Sequence, residues 1–108
     1  MAYIVRLTAD AARDLAELHT FIVGNDVPRK ADYVLDKIEI VLTSLGENPS
    51  RGSYPGELSA LGIKEYREVF FKPYRIIYRI IDDGVFILMI VDGRRDLEPL
   101  LQRRLLFP

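Results

Sequence analysis

The chain has 108 residues, which is enough for one compact domain and too few for two, and 49% of them are hydrophobic. It has no cysteine, which excludes a disulfide scaffold, a thiolate metal site and a cysteine nucleophile. His19 is the only histidine, and no G-x-S-x-G motif is present. We therefore expect a single domain over residues 1–108 that holds no metal, cofactor or small-molecule ligand.

The distribution of apolar residues indicates in which compartment of the cell the protein lies. The longest apolar run, residues 85–91, is far too short to span a bilayer. The first six residues lack the basic stretch, the apolar stretch and the cleavage site of a secretory signal. We expect a cytoplasmic protein that has no membrane partner.

The formal net charge of −1 is unevenly spread along the chain. Up to Ile63 there are six Lys and Arg residues against nine Asp and Glu residues, and from Lys64 onward there are nine against seven. Arginine binds carboxylates and phosphates through a bidentate fork, so its dominance over lysine in the second part favours recognition of such groups. The seven arginines of that part are Arg67, Arg75, Arg79, Arg94, Arg95, Arg103 and Arg104.

The first half of the chain predicts a short strand and two helices. Apolar residues alternate over residues 3–7, which indicates a strand, and Thr8 or Asp10 can cap the helix that follows. That helix ends at Gly24-Asn25, and a second begins with Asp26 as cap and Pro28 in its first turn. The apolar spacing is helical at Ala11, Leu15, Leu18 and Ile22, and again at Ala31, Leu35, Ile38, Leu42 and Leu45.

The second half predicts strands. After a loop over residues 50–62, the apolar pattern favours strands at residues 66–71, 74–81 and 85–91. The last is nearly all apolar, so we expect it to be central and covered on both faces. Asp82-Asp83-Gly84 predicts a hairpin turn, with Asp-Gly suited to positive φ. A short helix capped by Asp96 closes the chain.

This order of elements predicts the fold class. It is strand, helix, helix, three strands and a short helix. The two amphipathic helices form a hairpin that must bury its apolar face against a sheet. We expect an α+β fold in which the N-terminal strand and the helical hairpin pack on a small, mostly antiparallel sheet.

Two arginines share one face of the predicted strand 74–81, Arg75 and Arg79. Buried guanidinium groups are costly, so these must meet solvent, a carboxylate or a phosphate. If the strands pair sequentially, Arg67, Arg75 and Arg95 converge near one end of the sheet. The alternative is that the arginines of the sheet form salt bridges with Glu65, Glu68 and Asp96.

The chain resembles the RelE/ParE toxin family of type II toxin–antitoxin systems, in the order of its elements and in particular residues. The most recognisable stretch is the YRIIYR segment, residues 74–79. The other matching pieces are residues 5–8 and 11–15, Leu45, Asn48-Pro49, Gly52, Glu57-Leu58, residues 66–68 and residues 91–97. Together they cover nearly the whole chain at ordinary spacing.

The resemblance leaves the target open. In the branch that cleaves messenger RNA in the ribosome, Arg75 and Arg95 match arginines that stabilise charge. Lysines expected on the second strand are replaced by residues 67–69, Arg-Glu-Val, and the closing helix has Leu-Leu-Gln at 100–102 instead of a tyrosine or histidine. The branch that inhibits DNA gyrase needs a binding surface and no proton-transfer groups, so we favour it. A non-toxic domain of the same fold is the third alternative.

The candidate binding residues follow from the family. The candidates for target binding are Arg67, Arg75, Arg79, Arg94, Arg95, Arg103 and Arg104, together with the closing segment 103–107. The family also implies an antitoxin partner, which would cover apolar residues away from the sheet and pair acidic groups with arginine. The candidates for antitoxin binding are Phe21, Val23, Ile40, Arg75, Leu105 and Phe107. Alternatively the apolar residues pack between the helices, which we prefer for Val34 and Val41.

Overall fold

The order of helices and strands confirms the sequence prediction. The structure, a computed structural model, describes residues 2–25 and 28–106. The strands are β1 (Ile4–Leu7), β2 (Arg67–Phe71), β3 (Tyr74–Ile81) and β4 (Gly84–Asp92). The helices are α1 (Ala9–Asn25), α2 (Pro28–Glu47), α3 (Gly56–Ser59) and α4 (Glu98–Leu101), with a 3-10 turn at Pro49–Arg51 and a π-helical segment at Gln102–Leu106.

The helix ends follow from local hydrogen bonds. The hydroxyl of Thr8 accepts the N–H of Ala11 at 3.2 Å, so Thr8 caps α1 as predicted. Pro28 is the first residue of α2, where a missing N–H costs little, while the predicted cap Asp26 lies outside the described residues. The carboxylate of Asp96 accepts the N–H of Glu98 at 3.3 Å and so supports the start of α4.

The sheet is mixed and has the strand order β1-β4-β3-β2. β1 runs parallel to β4, and the other two pairs are antiparallel, which confirms the prediction of a mostly antiparallel sheet. β4 is an inner strand with layers on both faces, as its apolar sequence predicts. The fold is therefore the predicted α+β class.

Each face of the sheet has its own apolar cluster. The first cluster joins the hairpin of α1 and α2 to the sheet through residues such as Ile38, Leu45 and Ile76. The second lies on the opposite face, where Leu58 of α3 and Leu101 of α4 cover the other side chains of β3 and β4. The sequence did not reveal α3, because its four residues fall in a segment rich in glycine and proline that we predicted to be a loop.

The strand connections show two local irregularities. Ile81 pairs with Gly84, so the turn consists of Asp82 and Asp83 alone, and positive φ (55°) occurs at Asp82. The sequence was therefore right about the hairpin and wrong about Asp-Gly as the pair with positive φ. Ile77 pairs with Met89 and Tyr78 pairs with Ile87, which leaves an extra residue on β4 and forms a bulge.

One tyrosine ties the loop after α2 to the sheet. The side chain of Tyr78 is buried, and its hydroxyl donates to the carbonyl of Pro49 at 2.5 Å and accepts the N–H of Gly52 at 3.0 Å. Desolvation raises the pKa of the Tyr78 hydroxyl, which keeps it protonated as a donor. Gly52 is required here because a Cβ would lie 2.5 Å from the Tyr78 hydroxyl and 2.7 Å from the Glu68 carbonyl.

No helix within residues 2–25 and 28–106 combines the length and the apolar character needed to cross a bilayer.

We predict that Gly52→Ala destabilises the protein by about 1–3 kcal/mol, because the added methyl group overlaps backbone and a buried ring. Gly56→Ala is the matched control, since a Cβ there meets nothing within 4 Å and reduces the freedom of the unfolded chain. Urea unfolding of both variants measures the difference. Equal free energies of unfolding for the two variants would show that the contact at Gly52 is not tight.

Candidate functional site

Arg75 lies at the centre of an ion network on the face of the sheet covered by α3 and α4. Its Nε donates to Glu68 at 2.7 Å, and its two terminal nitrogens form a fork with the carboxylate of Glu57 at 2.6 and 2.9 Å. Glu68 is on β2, and Glu57 is brought into place by α3. The side chains of Arg75 and Glu68 are only 12% and 8% exposed, so a sheet arginine meets carboxylates here, as expected.

The network stabilises the charged forms of Glu57 and Arg75. The hydrogen bond from Arg75 lowers the pKa of the Glu57 carboxyl, and the hydrogen bond to Glu57 raises the pKa of Arg75 despite its burial. All three nitrogens of the Arg75 guanidinium donate to carboxylates. The fork that would bind a phosphate is therefore already occupied.

Arg104 joins the π-helical segment to α1 and to the edge of β4. Its guanidinium forks onto the carboxylate of Asp14 at 3.2 and 2.9 Å and also donates to the carbonyl of Leu88 at 3.0 Å. The hydrogen bond to Asp14 raises the pKa of Arg104. Asp14 in turn accepts the backbone N–H of Ile90 at 3.1 Å, so the pair covers part of a strand edge.

The arginines after β4 are exposed. The side chain of Arg94 is 75% exposed and forms an ion pair with Asp92 at 2.6 Å. Arg95 and Arg103 are exposed as well, and neither side chain has a hydrogen bond or ion pair with the described part of the chain. These three guanidinium groups are accessible to another molecule.

Arg67 and Arg79 lie at the other end of β3 with Lys64, around a shallow depression. Arg67 donates to the carbonyl of Gly52 at 2.9 Å and stacks on the ring of Tyr54. Arg79 is 3.7 Å from Glu65, which is one of the predicted salt bridges.

The expected convergence of Arg67, Arg75 and Arg95 is wrong. The antiparallel register places Arg67 opposite Tyr78, on the face covered by α1 and α2, whereas Arg75 faces the opposite side. Arg95 lies beyond the end of β4. The strands do pair sequentially, but the register sets Arg67 and Arg75 on opposite faces. Of the proposed salt-bridge partners, Glu65 and Glu68 do pair with arginines, while Asp96 accepts a backbone N–H.

A groove of about 380 Å³ lies between α1 and the C-terminal half of β4. One wall is formed by α1 and the other by β4 with Tyr74 of β3, and the two exposed arginines after β4 stand at its end. The lining residues are Asp14, Glu17, Leu18, Phe21, Tyr74, Ile90, Val91, Asp92, Arg94 and Arg95. We name it the α1–β4 groove.

Most of this groove was not predicted from the sequence. Asp14, Glu17 and Tyr74 were not among the predicted binding residues. The available signal was the difference in strand length, because residues 3–7 are too few to cover the partner strand 85–91 along its whole edge. Only the parallel register shows which part of β4 stays uncovered.

The predicted antitoxin-binding residues are distributed over several surfaces. Phe21 and Ile40 are 64% and 62% exposed, and only Phe21 lines the groove. Val23 is exposed at the end of α1, Leu105 is partly buried on the second cluster, and Phe107 lies outside the described residues. Arg75 is in the ion network. The remaining two apolar residues, Val34 and Val41, pack in the first cluster, as the alternative proposed.

His19 is far from a catalytic arrangement. It lies 3.8 Å from Asp32 across the helical hairpin and contacts neither the ion network nor the groove. Within the described ranges, no group of three or more His, Asp and Glu side chains is placed to hold a metal ion.

The chain matches the family model of the ParE toxin of the type II toxin–antitoxin system, parDE, over residues 5–97. This chain belongs to the ParE toxin family. It is a toxin of a type II toxin–antitoxin system. The matched region contains the ion network. It also contains the candidate target-binding arginines except Arg103 and Arg104.

Solved structures share the ParE-family fold. A chain of the chromosomal ParDE system from P. aeruginosa has a TM-score of 0.71 at 21% identity, with 84% of this chain and 96% of that chain covered. The toxin–antitoxin complex RelBE2 from Mycobacterium tuberculosis gives 0.59 at 27% identity, covering 85% and 99%. A mutant of E. coli toxin RelE in the free state gives 0.59 at 17% identity, covering 97% and 100%. No curated protein matches the chain by sequence.

We predict that Arg75→Ala destabilises this ParE-family toxin by about 3–5 kcal/mol, because it leaves the buried carboxylate of Glu68 without its partner. Arg94→Ala is the control, since its ion pair is exposed and contributes little. Chemical denaturation compares the two. If Arg75→Ala lowers the free energy of unfolding as little as the control does, water replaces the guanidinium without a loss of stability.

We predict that the network makes stability fall in acid. The folded pKa of Glu57 lies below its ordinary value of 4.5, so this stabilisation is complete well above pH 4.5 and is lost as pH falls through the folded value. The difference in Tm between the wild type and Glu57→Gln should therefore shrink from pH 7 to pH 3. Thermal melts across this range measure it, and a difference that is constant with pH would contradict the assignment.

Proposed function

We propose that this toxin arrests growth in the cytoplasm by binding and inhibiting DNA gyrase, and that a cognate antitoxin neutralises it. The match to the ParE model supports this branch of the larger family. The observation that carries the proposal is the state of Arg75, whose guanidinium is bound by two carboxylates.

Cleavage of RNA requires stabilisation of a phosphorane that carries extra negative charge. Arg75 is one of the two arginines, with Arg95, whose positions in the sequence resemble those of the RNA-cleaving branch. Glu57 and Glu68 neutralise Arg75, and they would repel a phosphate that approached it. His19 is on α1, which covers the opposite face of the sheet from Arg75, so it is not placed to transfer a proton there. This geometry favours a surface that binds its target over one that cleaves RNA.

The accessible candidates for the target surface are Arg94, Arg95 and Arg103. Their side chains project into solvent, so they can pair with carboxylates of a protein target without first breaking a buried network. Arg67 and Arg79 form a second, partly shielded group. Arg75 and Arg104 support the fold through buried contacts, and we assign them no direct contact with the target.

The antitoxin partner is supported by two observations. The helical hairpin exposes large apolar side chains, including Phe21 and Ile40, and the α1–β4 groove is open. Such surfaces on a small protein indicate an interaction site. In addition, two of the similar solved structures are described as a ParDE system and a RelBE2 toxin–antitoxin complex.

We predict that the purified toxin inhibits supercoiling of relaxed plasmid by gyrase in vitro. The double variant Arg94→Glu/Arg95→Glu should require on the order of tenfold more protein for the same inhibition, since it places two like charges against the target surface. The double variant Arg29→Glu/Lys37→Glu on α2 is the control, because it makes the same change of charge away from the groove.

Two results would contradict the gyrase proposal. If ribosomes with bound messenger RNA yield cleaved transcripts at toxin concentrations that leave gyrase active, the target is RNA. If induction of the toxin alone leaves growth and translation unchanged, the chain is a non-toxic domain of this fold.

A further inference from the structure

One face of the sheet is covered over only part of its length. On the face of the second apolar cluster, α3 and α4 cover the half of the sheet around Met89. In the other half, near the turn between β3 and β4, neither Ile81 nor Phe86 belongs to an apolar cluster. Ile4 and Ile81 are 50% and 44% exposed. The described part of the chain therefore leaves this end of the face open, and we name it the open half-face.

The first row of side chains on the open half-face is apolar. Gly84 of β4 pairs with Ile4 on one side and with Ile81 on the other. Val5, the neighbour of Ile4, packs in the first cluster, so Ile4 points to the opposite face of the sheet. The ring of Phe86 lies over Gly84, because a Cβ at Gly84 would be 2.8 Å from it. Two exposed isoleucines with an aromatic ring between them thus form the apolar part of this surface.

The second row places one arginine on each side of Phe86. Arg6 and Arg79 are the strand partners of Phe86 on β1 and β3, so the three side chains point to the same face. Because neighbouring strands are about 4.8 Å apart, the two arginine backbones are about 10 Å from each other. Within the described ranges, the side chain of Arg6 has no hydrogen bond or ion pair, and Arg79 has only a long ion pair with Glu65, at 3.7 Å. Both guanidinium groups are therefore free to bind carboxylates of another molecule.

A depression of about 340 Å³ extends the open half-face toward the π-helical segment. Its apolar lining includes Phe86, Leu105 and Leu88, which is the extra residue of the bulge in β4. Among the described residues that line it there are two arginines, Arg79 and Arg104, and no carboxylate. The charge of Arg104 is already balanced by its fork to Asp14, as described above. The depression therefore favours a partner that brings an apolar side chain with negative charge beside it.

The open half-face is continuous with the surface proposed above for the target. Arg103, one of the accessible arginines of that surface, directly precedes Arg104 and Leu105, which line the depression. The exposed apolar residues that support the antitoxin partner, Phe21 and Ile40, belong to the helical hairpin, which covers the opposite face of the sheet. The position of the open half-face thus favours the target over the antitoxin as its occupant.

We propose that the target protein docks on the open half-face through an acidic segment that carries a large apolar side chain. The inference rests on the proposed function, and it names the chemistry of the partner at that surface. The apolar side chain enters the depression beside Phe86, while flanking carboxylates pair with Arg6 and Arg79. A second copy of the toxin is a poor fit, because contact between two open half-faces would bring the same arginines of both copies together.

The first experiment reverses the charge of the two arginines. In the supercoiling assay with gyrase, Arg6→Glu/Arg79→Glu should require at least about tenfold more toxin than the wild type for the same inhibition. Arg29→Glu/Lys37→Glu on α2 makes the same change of charge on the opposite side of the sheet, and it should require less than about twofold more. Urea unfolding of both variants shows whether they are folded.

The second experiment removes apolar surface without a change of charge. Ile81→Ser should raise the toxin concentration for half-inhibition at least about fivefold, because an apolar contact inside the interface is lost. Leu61→Ser is the matched control, since Leu61 is 60% exposed in the turn after α3 and does not line the depression. Both side chains are exposed in the free toxin, so neither variant depends on repacking of the core.

The third experiment identifies the contact on the partner. Because the chain has no cysteine, Ile81→Cys provides a single attachment point for a photo-cross-linker. Illumination in the presence of gyrase should attach the toxin to a peptide that has Asp or Glu next to an apolar residue. An attached peptide without acidic residues, or no attachment at all, would overturn the proposal.

The possible failures are distinguishable. If the wild-type toxin does not inhibit gyrase, the proposed function fails, and the docking proposal fails with it. If the wild type inhibits gyrase and Arg6→Glu/Arg79→Glu inhibits it equally well, only the docking proposal fails. If this variant keeps inhibition but loses affinity for the product of the adjacent gene, the occupant is the antitoxin, which also overturns the proposal. The same holds if the wild type is a dimer that the variant dissociates, since the occupant is then a second copy.

Discussion

The fork between Arg75 and Glu57 is the interaction on which the arrangement of this toxin depends. It joins the start of β3 to α3, while Glu68 holds the same guanidinium from β2. Because burial of any one of these charges alone would be costly, the three side chains are stable only together. The ion network therefore fixes α3 over the sheet, and α3 contributes Leu58 to the second apolar cluster.

The helices on the two faces of the sheet are thus attached by different interactions. On the side of the helical hairpin, closely packed and mostly aliphatic side chains such as Ile38 and Ile76 form the cluster. On the other side, short helices are held by charged groups as well as by apolar ones, through Glu57 and Arg104. This division explains why the arginine-rich half of the chain does not form one basic surface. Two of its arginines are used to attach short segments, and those after β4 remain available.

Much of the fold was readable from the sequence. Helical spacing located α1 and α2, alternation located the strands, and the uninterrupted apolar run of residues 85–91 identified an inner strand. The positions of the arginines were not readable, because they depend on register: a shift by one residue moves a side chain to the other face. Arg67 shows this, since only its pairing with Tyr78 reveals that it faces away from Arg75. The α1–β4 groove was missed because it arises from unequal strand lengths, and Glu57 because its helix has only four residues.

The contact of Arg104 with Leu88 has a consequence for shortened forms of the protein. Removal of the segment after Leu101 would take away the guanidinium that covers this carbonyl and would leave Asp14 without its cation. A longer stretch of uncovered strand would then face solvent, and uncovered strands tend to pair with one another. A truncated toxin should therefore aggregate through its sheets even though the first apolar cluster keeps all its members. In this way the last residues of the described chain protect the solubility of the folded molecule.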